Sequence, residues 1–445
     1  MICRQLAWGT SLVLMLACGD RTELEGLLPS SPPAFGSPDG GGTTDPCPAA
    51  VSGPVPMAGN CSTRDGRSRV AAPSSPHVTW STKLPVDSTG MEGPSYIATD
   101  NAGHAYVVSE GEIDESVAAF RRVDVATGAI EWSQPFSPDE ETSTPILLTS
   151  GGIDLVAYSM YTDAIFTYEP ANGASSSTTY GFSLYYAPSD LAVGTDGSLY
   201  ATHLDDVGEA HQTSYISRVS PGGEVLWTTI DLGTLGPPLE YDDGEVFPST
   251  IALAKGDLVV IMVNEITKTP EDAEVVSAFE PATGVLRWSK TLTGTAIGGP
   301  VVGPDGNILA LLSTSDAESL VSLDPSTGAT TMYPVSAELD TIYAVTLDGI
   351  VLAGLDNGSL GGLVAIDPHG NILWTNATAG AATVASDGTI VAFAGTIKGL
   401  DPKTGLAKWT LEPPSSTPCF VTGALTSEGG IVGLECDGTL FGAGD

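Results

Sequence analysis

The densest group of metal-ligand residue types lies between His203 and His211. This stretch reads His-Leu-Asp-Asp-Val-Gly-Glu-Ala-His and holds two histidines and three acidic residues. Imidazole and carboxylate groups bind Zn²⁺ and related transition metals, so His203, Asp205 and His211 are candidate ligands. Their spacing follows no metal-binding rule, and a flexible loop is a poor preformed site. The sequence therefore favours a solvated loop over a metal site here.

Other sequence signatures of catalysis are absent. The chain has no Gly-x-Ser-x-Gly nucleophile elbow, no phosphate-binding loop and no Cys-x-x-Cys pair. The segment Asp242-Asp243-Gly244-Glu245 lacks the alternating spacing of a calcium-binding loop. Paired acids are plentiful, but the fixed separation that glycosidase carboxylates need is not visible in a sequence. The sequence therefore predicts no catalytic residue.

A phrase of ten residues recurs along the chain. Residues 123–132 read Val-Asp-Val-Ala-Thr-Gly-Ala-Ile-Glu-Trp, and residues 279–288 and 400–409 repeat the pattern. Two further copies keep the Gly and the Trp four positions later, two copies have lost the Trp, and Trp80 begins an eighth copy. The complete pairs are Gly128 and Trp132, Gly223 and Trp227, Gly284 and Trp288, Gly370 and Trp374, and Gly405 and Trp409. Recurrence of this kind is typical of a repeat architecture.

A second motif alternates with the first. Asp-Gly between apolar runs occurs at residues 196–197, 305–306, 348–349 and 387–388, with four weaker copies elsewhere. Asp-Gly in this context predicts a hairpin with a type I′ turn. Each unit then contains four antiparallel strands, and eight units predict an all-β, eight-bladed β-propeller. An open array of sheets or a β-sandwich is the alternative.

The two chain ends support closure of the ring. After Trp409 the sequence provides three strands and stops, and the strand around Trp80 provides the missing fourth. We therefore expect the N-terminal strand to complete the last blade, which leaves no open sheet edge between the first and last units. We expect the Trp side chains to pack between blades.

The phrase Asp-x-x-Thr-Gly-x-x-x-Trp resembles the repeat of the PQQ-binding-like (quinoprotein alcohol dehydrogenase-like) propellers, over about residues 78–445. This superfamily contains quinone-dependent dehydrogenases and non-catalytic members such as the lipoprotein BamB. The enzymes resemble one another in a vicinal Cys-Cys disulfide over the cofactor, and no two cysteines are adjacent here. The resemblance therefore implies the fold and favours a non-catalytic member without bound PQQ or Ca²⁺.

The N-terminus resembles a bacterial lipoprotein signal. One positive charge and a short apolar stretch precede Cys18, and the stretch is too short to span a membrane. We expect residues 1–17 to be the signal peptide and Cys18 to carry lipid; ordinary secretion is the alternative. Residues 18–77 are rich in Pro, Gly and Ser and predict a disordered tether, followed by the propeller at 78–445.

Four cysteines remain for disulfides in an exported protein. They permit three pairings, of which we favour Cys47 with Cys61 and Cys419 with Cys436.

The formal net charge is −38, and almost all of it belongs to the propeller. Such a chain repels nucleic acid and anionic headgroups, which excludes a nucleic-acid-binding function. In a propeller the Asp-Gly and Thr-Gly turns lie on one face, here called the turn face. The other connections lie on the opposite face, here called the loop face. Acidic residues crowd the loop-face connections of the first four blades: Glu110, Glu112, Asp114, Asp139, Glu140, Glu240, Asp242, Asp243 and Glu245.

These acids either form a recognition surface for a cationic partner or for divalent cations, or they keep an exported protein soluble. The sequence predicts a monomeric, non-catalytic protein of the bacterial envelope with a lipid anchor. It does not decide which membrane leaflet holds the anchor. The protein would bind an envelope protein or a glycan through the loop face. The alternatives are a quinone-dependent oxidoreductase and a glycan-processing propeller.

Overall fold

The computed structural model describes most of the chain after residue 50. The described residues are 51, 53, 55, 60–85, 95–109, 119–135, 141–142, 145–148, 152–159, 162–179, 191–206, 212–229, 232, 246–248, 251–265, 273–314, 317–355, 362–415 and 420–445. All of them belong to one compact unit, Asp45–Asp445. They contain no α-helix.

The strands form eight antiparallel sheets, as the repeat predicts. The N-terminal strand is β1 (His77–Lys83). Blades 1 and 2 contain β2 (Ser95–Thr99), β3 (His104–Ser109), β4 (Ala119–Asp124), β5 (Ile130–Pro135), then β6 (Glu141–Thr142), β7 (Ile146–Leu147), β8 (Ile153–Ser159), β9 (Thr162–Tyr168) and β10 (Ser175–Thr179). Blades 3 and 4 contain β11 (Ala192–Val193), β12 (Leu199–Asp206), β13 (Gln212–Val219), β14 (Val225–Thr228), then β15 (Val246–Pro248), β16 (Ala252–Ala254), β17 (Leu258–Glu265), β18 (Ala273–Phe279) and β19 (Leu286–Thr293).

The second half of the ring repeats the same pattern. Blades 5 and 6 contain β20 (Thr295–Val302), β21 (Ile308–Ser313), β22 (Glu318–Leu323), β23 (Thr330–Val335), then β24 (Leu339–Val345), β25 (Val351–Leu355), β26 (Leu363–Ile366) and β27 (Ile372–Asn376). Blades 7 and 8 contain β28 (Ala382–Val384), β29 (Ile390–Phe393), β30 (Ile397–Leu400), β31 (Ala407–Leu411), then β32 (Phe420–Leu425), β33 (Ile431–Glu435) and β34 (Thr439–Gly444). The first strands of neighbouring blades contact one another, which places them around the central axis.

The ring closes through the N-terminal strand, which confirms the sequence prediction. Blade 8 has the strand order β1-β34-β33-β32, so the first strand of the chain is the outermost strand of the last blade. Its register pairs Trp80 with Gly442 and Lys83 with Thr439. The two ends of the chain are therefore joined by backbone hydrogen bonds within one sheet.

The hydrophobic core is a ring of layers between blades. Seven clusters of buried residues join consecutive blades, and the largest joins blades 7, 8 and 1 around Phe393, Phe441 and Ile97. The two middle strands of each blade contribute the most buried side chains, such as Val259 and Val276. Packing between sheets, rather than within them, therefore supplies the hydrophobic stabilisation.

The Asp-Gly turns differ from the predicted type I′ geometry. In the turn after β11, Gly197 N donates to Gly194 O, and Gly194 N donates to Ser198 O. Gly197 has a φ of 81°, whereas Asp196 is not among the described residues with positive φ. This is a type I turn followed by a left-handed glycine, the usual three-residue hairpin loop. The glycine requirement is real, but it applies to one position instead of two.

The Thr-Gly turns are capped by their aspartates. The carboxylate of Asp124 accepts hydrogen bonds from the amide and the hydroxyl of Thr127, at 2.8 and 2.7 Å. Asp324 and Asp401 accept the same two bonds from Thr327 and Thr404. The hydrogen bond from the Thr127 side chain lowers the pKa of Asp124. The side chains of Ser326 and Thr327 lower the pKa of Asp324, and the Thr404 side chain lowers that of Asp401. The ionised aspartate is therefore part of the turn.

Five Trp side chains of the repeat each bridge one blade to the turn of the next. The indole Nε1 of Trp288 in blade 4 donates to Pro325 O in blade 5 at 2.9 Å. A Cβ on Gly328 of that turn would lie 2.8 Å from the indole, so only glycine leaves room for the ring. The same contact is made from Trp80 to Val125 O, from Trp132 to Pro170 O, from Trp227 to Pro281 O and from Trp374 to Pro402 O.

These contacts explain why the phrase pairs Gly with Trp. The Gly and the Trp lie four positions apart in one blade, and they contact the two blades on opposite sides of it. The prediction that the Trp side chains pack between blades is confirmed at these five junctions. The Trp80 contact lies at the junction between blades 8 and 1, where the chain ends meet.

Part of the predicted tether belongs to the propeller. Residues 60–77 are described, and several of their polar side chains are buried, including Asn60, Ser62 and Asp65. A segment poor in large apolar residues is ordered here because its backbone carbonyls accept hydrogen bonds from the blades. The prediction of a disordered tether is therefore wrong for residues 60–77. For residues 18–50 the prediction lies outside the described residues.

The first prediction concerns the closing junction. Trp80→Ala should lower the free energy of unfolding by about 3 kcal/mol, because it removes a packed indole and its hydrogen bond to Val125 O. The measurement is guanidinium unfolding followed by circular dichroism. Leu406→Ala is the control, because Leu406 is 70% exposed and should change stability by no more than about 0.5 kcal/mol. Equal effects of the two variants would contradict the closing role of Trp80.

The second prediction concerns acid pH. The pKa values of Asp124, Asp324 and Asp401 are lower in the folded protein than the usual 3.8, so these residues stabilise the fold above that pH. Their contribution is lost as the pH falls through the lowered folded values. The triple Asp→Asn variant should therefore be less stable than the wild type at pH 6, and this difference should shrink on acidification. Urea unfolding of both proteins over this pH range measures the difference, and a constant difference would show that the carboxylates' charge has no part in it.

Candidate functional site

The turn-face end of the central axis is lined by backbone amides. In each blade the residue just before the Asp-Gly turn lies at the end of the innermost strand. Such a strand has no neighbour on its inner edge, so its N–H groups there need another acceptor. The residues at this position in blades 4 to 7 are Leu253, Val302, Val345 and Val384.

Residues 60–72, here called the axial segment, supply the acceptors. Leu253 N donates to Ser62 O at 2.7 Å, and Val302 N donates to Thr63 O at 2.8 Å. Val345 N donates to Asp65 O at 2.8 Å, and Val384 N donates to Gly66 O at 2.9 Å. Four carbonyls within five residues thus bind four successive blades. Each such bond contributes about 0.5–1.5 kcal/mol net, so the segment joins half of the ring at its centre.

Side chains of the axial segment anchor it to further blades. The Ser62 hydroxyl donates to Val193 O in blade 3 and accepts from Val193 N, both at 2.8 Å. The Asn60 amide donates to the Thr383 hydroxyl in blade 7 at 2.7 Å, and Arg64 Nε donates to Ile251 O in blade 4 at 2.7 Å. The hydroxyl of Ser62 therefore performs in blade 3 the role that carbonyls perform in blades 4 to 7.

The chain before and after these residues contacts the remaining blades. Val55 O accepts from Thr99 N in blade 1 at 2.9 Å, and Val51 forms a β-bridge with Leu148 in blade 2. Val70 and Ala72 pack against the cluster that includes blade 8. The described residues between 51 and 72 therefore reach every blade of the ring.

A buried ion pair stabilises the turn of the axial segment. The Asp65 carboxylate is completely buried and accepts from the Arg67 guanidinium at 2.5 Å and from Arg67 N at 3.0 Å. Arg67 also forms an isolated parallel β-bridge with Val384 at the inner edge of blade 7. A carboxylate buried in this way requires a paired cation, so Arg67 is needed wherever Asp65 is ionised.

The path of the axial segment depends on left-handed residues. Asn60, Arg64 and Gly66 have φ values of 65°, 56° and 64°. A Cβ on Gly66 would lie 2.3 Å from Tyr343 O, so no other residue fits at this position. The segment therefore winds around the axis as irregular chain rather than as a strand.

One cluster of chemically active side chains lies on the turn face of blade 1. His104 Nδ1 lies 2.9 Å from the Asp100 carboxylate, and its Nε2 lies 2.5 Å from Arg122 Nη2. The Tyr106 hydroxyl donates to the same carboxylate, and burial followed by the nearby Asp100 charge raises the pKa of Tyr106. Arg122 also binds Glu131 at 2.9 Å and Pro170 O in blade 2 at 2.5 Å.

Both ring nitrogens of His104 have partners, and Arg122 contacts the same carbonyl as Trp132. Arg218 and Trp227 repeat this arrangement at Pro281 O between blades 3 and 4. The repeated geometry indicates that the cluster supports the junction between blades. It presents no unpaired base to a substrate.

The structure describes only part of the predicted site residues. The nine acids of the candidate binding face, Glu110, Glu112, Asp114, Asp139, Glu140, Glu240, Asp242, Asp243 and Glu245, all lie outside the described residues. His203 and Asp205 lie in β12, paired with Tyr215 and Thr213, so this part of the predicted loop is strand. Their side chains and His211 are outside the described set, so the metal hypothesis stays a prediction.

The cysteines are described in part. Cys61 is fully buried in the axial segment, and Cys436 lies in the turn between β33 and β34. Cys18, Cys47 and Cys419 lie outside the described residues, so lipidation and both disulfide pairings stay predictions.

Sequence reasoning missed the axial segment. One signal was present: three of the five basic residues before the propeller, Arg64, Arg67 and Arg69, lie within six positions. A flexible tether needs no such cluster next to an acidic domain. The carbonyl acceptors could not have been found, because backbone groups carry no sequence signature.

No group of three or more His, Cys, Asp or Glu side chains among the described residues could hold a metal ion. No helix in the described part of the chain is long and apolar enough to cross a membrane.

The family comparison agrees with the repeat. A family model described as outer membrane protein assembly factor BamB matches residues 212–331 and 271–418. No curated protein matches the sequence significantly.

Solved structures share the fold at low sequence identity. Quinohemoprotein alcohol dehydrogenase from Comamonas testosteroni is 11% identical with a TM-score of 0.57, covering 88% of this chain and 81% of its own. BamB from Moraxella catarrhalis is 14% identical with a TM-score of 0.46, covering 83% of this chain and 98% of its own. At 11% identity the likeness to the quinohemoprotein shows the fold alone.

The chain is therefore an eight-bladed β-propeller built from PQQ-like repeats. Its sequence between residues 212 and 418 matches the BamB family model, which confirms the resemblance to PQQ-like repeats stated from the sequence.

Proposed function

We propose that this protein is a non-catalytic scaffold of the bacterial envelope that binds a partner protein through its loop face. The observation that carries the proposal is the axial segment, because the chain itself fills the turn-face end of the axis with satisfied hydrogen bonds. A propeller closed at one end offers its opposite face to a partner. The match to the BamB family model supports the scaffold role. The role requires no cofactor, and neither PQQ nor Ca²⁺ is part of it.

The acidic residues in the connections between strands indicate which kind of partner we propose. Four of these acids, Glu240, Asp242, Asp243 and Glu245, fall between β14 and β15, in a connection between blades. Strand order assigns such a connection to the loop face. A cluster of carboxylates attracts a cationic surface and accelerates its association. We therefore propose a cationic protein as the partner, with a glycan as the alternative ligand class.

The proposed anchor is a lipid on Cys18, and the proposed disulfides are Cys47–Cys61 and Cys419–Cys436. The lipoprotein-like N-terminus supports the anchor. The second pair would link the turn after β33 to the start of β32, within one blade.

The test of the binding face compares two variants of equal charge. One variant replaces Glu240, Asp242, Asp243 and Glu245 by their amides. The control replaces four turn-face acids by their amides: Asp305, Asp348, Asp387 and Glu428. Isothermal titration with a Lys-rich peptide should show at least about a tenfold loss of affinity for the first variant only, because proximity strengthens charge interactions. Equal losses would mean that the acids act only through net charge.

The test of the anchor is fractionation of cells. Cys18→Ser should move the protein from the membrane pellet to the soluble fraction, because a short signal without lipid leaves no stable attachment. Cys436→Ser is the matched control and should stay in the pellet. A wild-type protein found in the soluble fraction would refute lipidation, and the loop-face proposal would be unaffected.

A further inference from the structure

The axial segment contacts the ring in the way that a bound peptide contacts a receptor. Its contacts to blades 4 to 7 are main-chain carbonyls accepting from strand-end amides. Main-chain hydrogen bonds to an exposed sheet edge are the usual mode of peptide recognition by β-structures. Here eight edges converge at one axis, so a single short peptide can bind several sheets.

The receptor side of this contact is complete without the axial segment. Blades 1 to 8 consist of residues 77–445, and each sheet has its strands from that range. The axial segment contributes only the short Arg67 bridge to blade 7 and belongs to no named strand. The ring and its occupant are therefore separate structural elements.

The covalent connection between them is short and lies at the surface. Residues 73–76 join the axial segment to β1, and Ser74 and Ser75 are exposed. The contact there is a set of hydrogen bonds from both serines to the Asp445 side chain, which is exposed as well. Besides this link, the axial segment is held by its own hydrogen bonds to the blades and by the disulfide bond of Cys61, whose partner lies outside the described residues.

Charge complements the hydrogen bonds. The axial segment holds three Arg and one Asp, whereas residues 78–445 hold 48 acidic and 11 basic residues. Two contacts make the site specific for the peptide sequence. The Ser62 hydroxyl donates to Val193 O in blade 3, and Gly66 occupies a position where any side chain would meet Tyr343 O. A cationic, irregular peptide with Gly at this place satisfies the site.

We propose that the turn-face end of the axis is a peptide-binding site whose resident ligand is the chain's own segment 60–72. The site recognises a cationic, glycine-containing peptide through strand-end amides of the inner strands. It stays occupied in cis and accepts the same peptide in trans once the covalent link is cut. This inference stands apart from the loop-face proposal, because it involves the opposite end of the axis.

The test cuts the link in the folded, full-length protein. A protease recognition sequence inserted between Ser74 and Ser75 is cleaved after folding, and dithiothreitol then reduces the disulfide bond of Cys61, so that no covalent bond holds the fragment. We expect the N-terminal fragment to stay bound during size-exclusion chromatography, with the amides of Val302, Val345 and Val384 still protected from hydrogen exchange. A hundredfold excess of synthetic peptide 60–72 carrying Cys61→Ala should then displace the fragment. Release of the fragment on cleavage would overturn the proposal, and so would a fragment that excess peptide never displaces.

A pair of glycine variants tests the contact itself in the cleaved protein. Gly66→Ala introduces a Cβ 2.3 Å from Tyr343 O at a φ of +64°. Gly306→Ala imposes a similar left-handed strain at a φ of +84°, but its Cβ meets no atom within 4 Å. We expect Gly66→Ala to weaken fragment binding at least about tenfold and Gly306→Ala to leave it unchanged. Equal binding by both variants would overturn the proposal.

A peptide variant covers the case in which Gly66→Ala prevents folding. The synthetic peptide with Gly66→Ala is added to the cleaved wild-type protein, so folding of the protein is not at issue. It should fail to displace the fragment at concentrations where the peptide with Gly66 succeeds. Displacement by both peptides alike would show that charge alone drives binding, which contradicts the proposed site.

Discussion

Contacts between neighbouring blades join the eight sheets, and at five junctions a Trp of one blade reaches into a turn of the next. The indole N–H of a Trp in one blade binds a carbonyl in the next, and the ring of the indole occupies the space that a glycine leaves open. The contact combines a large apolar surface with a satisfied donor, which is what an indole packed between two blades requires. It also sets a geometric condition, because a turn with any side chain at the glycine would push the blades apart. The Gly and the Trp of the repeated phrase therefore specify the contact between blades more than the structure within one blade.

The same condition explains where the ring is reinforced and where it is not. Blades 1 and 3 add an Arg to the Trp, and both side chains bind one carbonyl of the next blade. Blades 2 and 5 have Ser177 and Met332 in place of Trp, and Met332 is 45% exposed. Beyond blade 5, a Cβ on Gly370 would meet Tyr333 rather than an indole, so a neighbouring aromatic takes over part of the packing. The blades thus share one backbone arrangement, while the side chains that support it differ from blade to blade.

The sequence predicts those features that depend on side chains repeated at fixed spacing. Blade number, strand order and the closing role of the Trp80 strand all follow from the positions of Gly, Trp and Asp-Gly, and the structure confirms them. The type I′ turn was wrong because one left-handed glycine is enough when the hairpin loop has three residues. The tether boundary was wrong for a deeper reason. Composition measures how much apolar surface a segment can bury, and the axial segment is held by backbone carbonyls, which every sequence provides.

The axial segment also limits how the two faces of the propeller can be used. Inner strand edges are the places where a propeller has unpaired main-chain groups to offer, and at the turn face the chain's own carbonyls satisfy those of blades 4 to 7. A partner approaching that face meets occupied donors and turns whose aspartates already bind their own backbone. Such groups gain little from a new partner, since each new bond must replace one already made. The free energy for binding a second molecule must therefore come from groups other than those of the turn face.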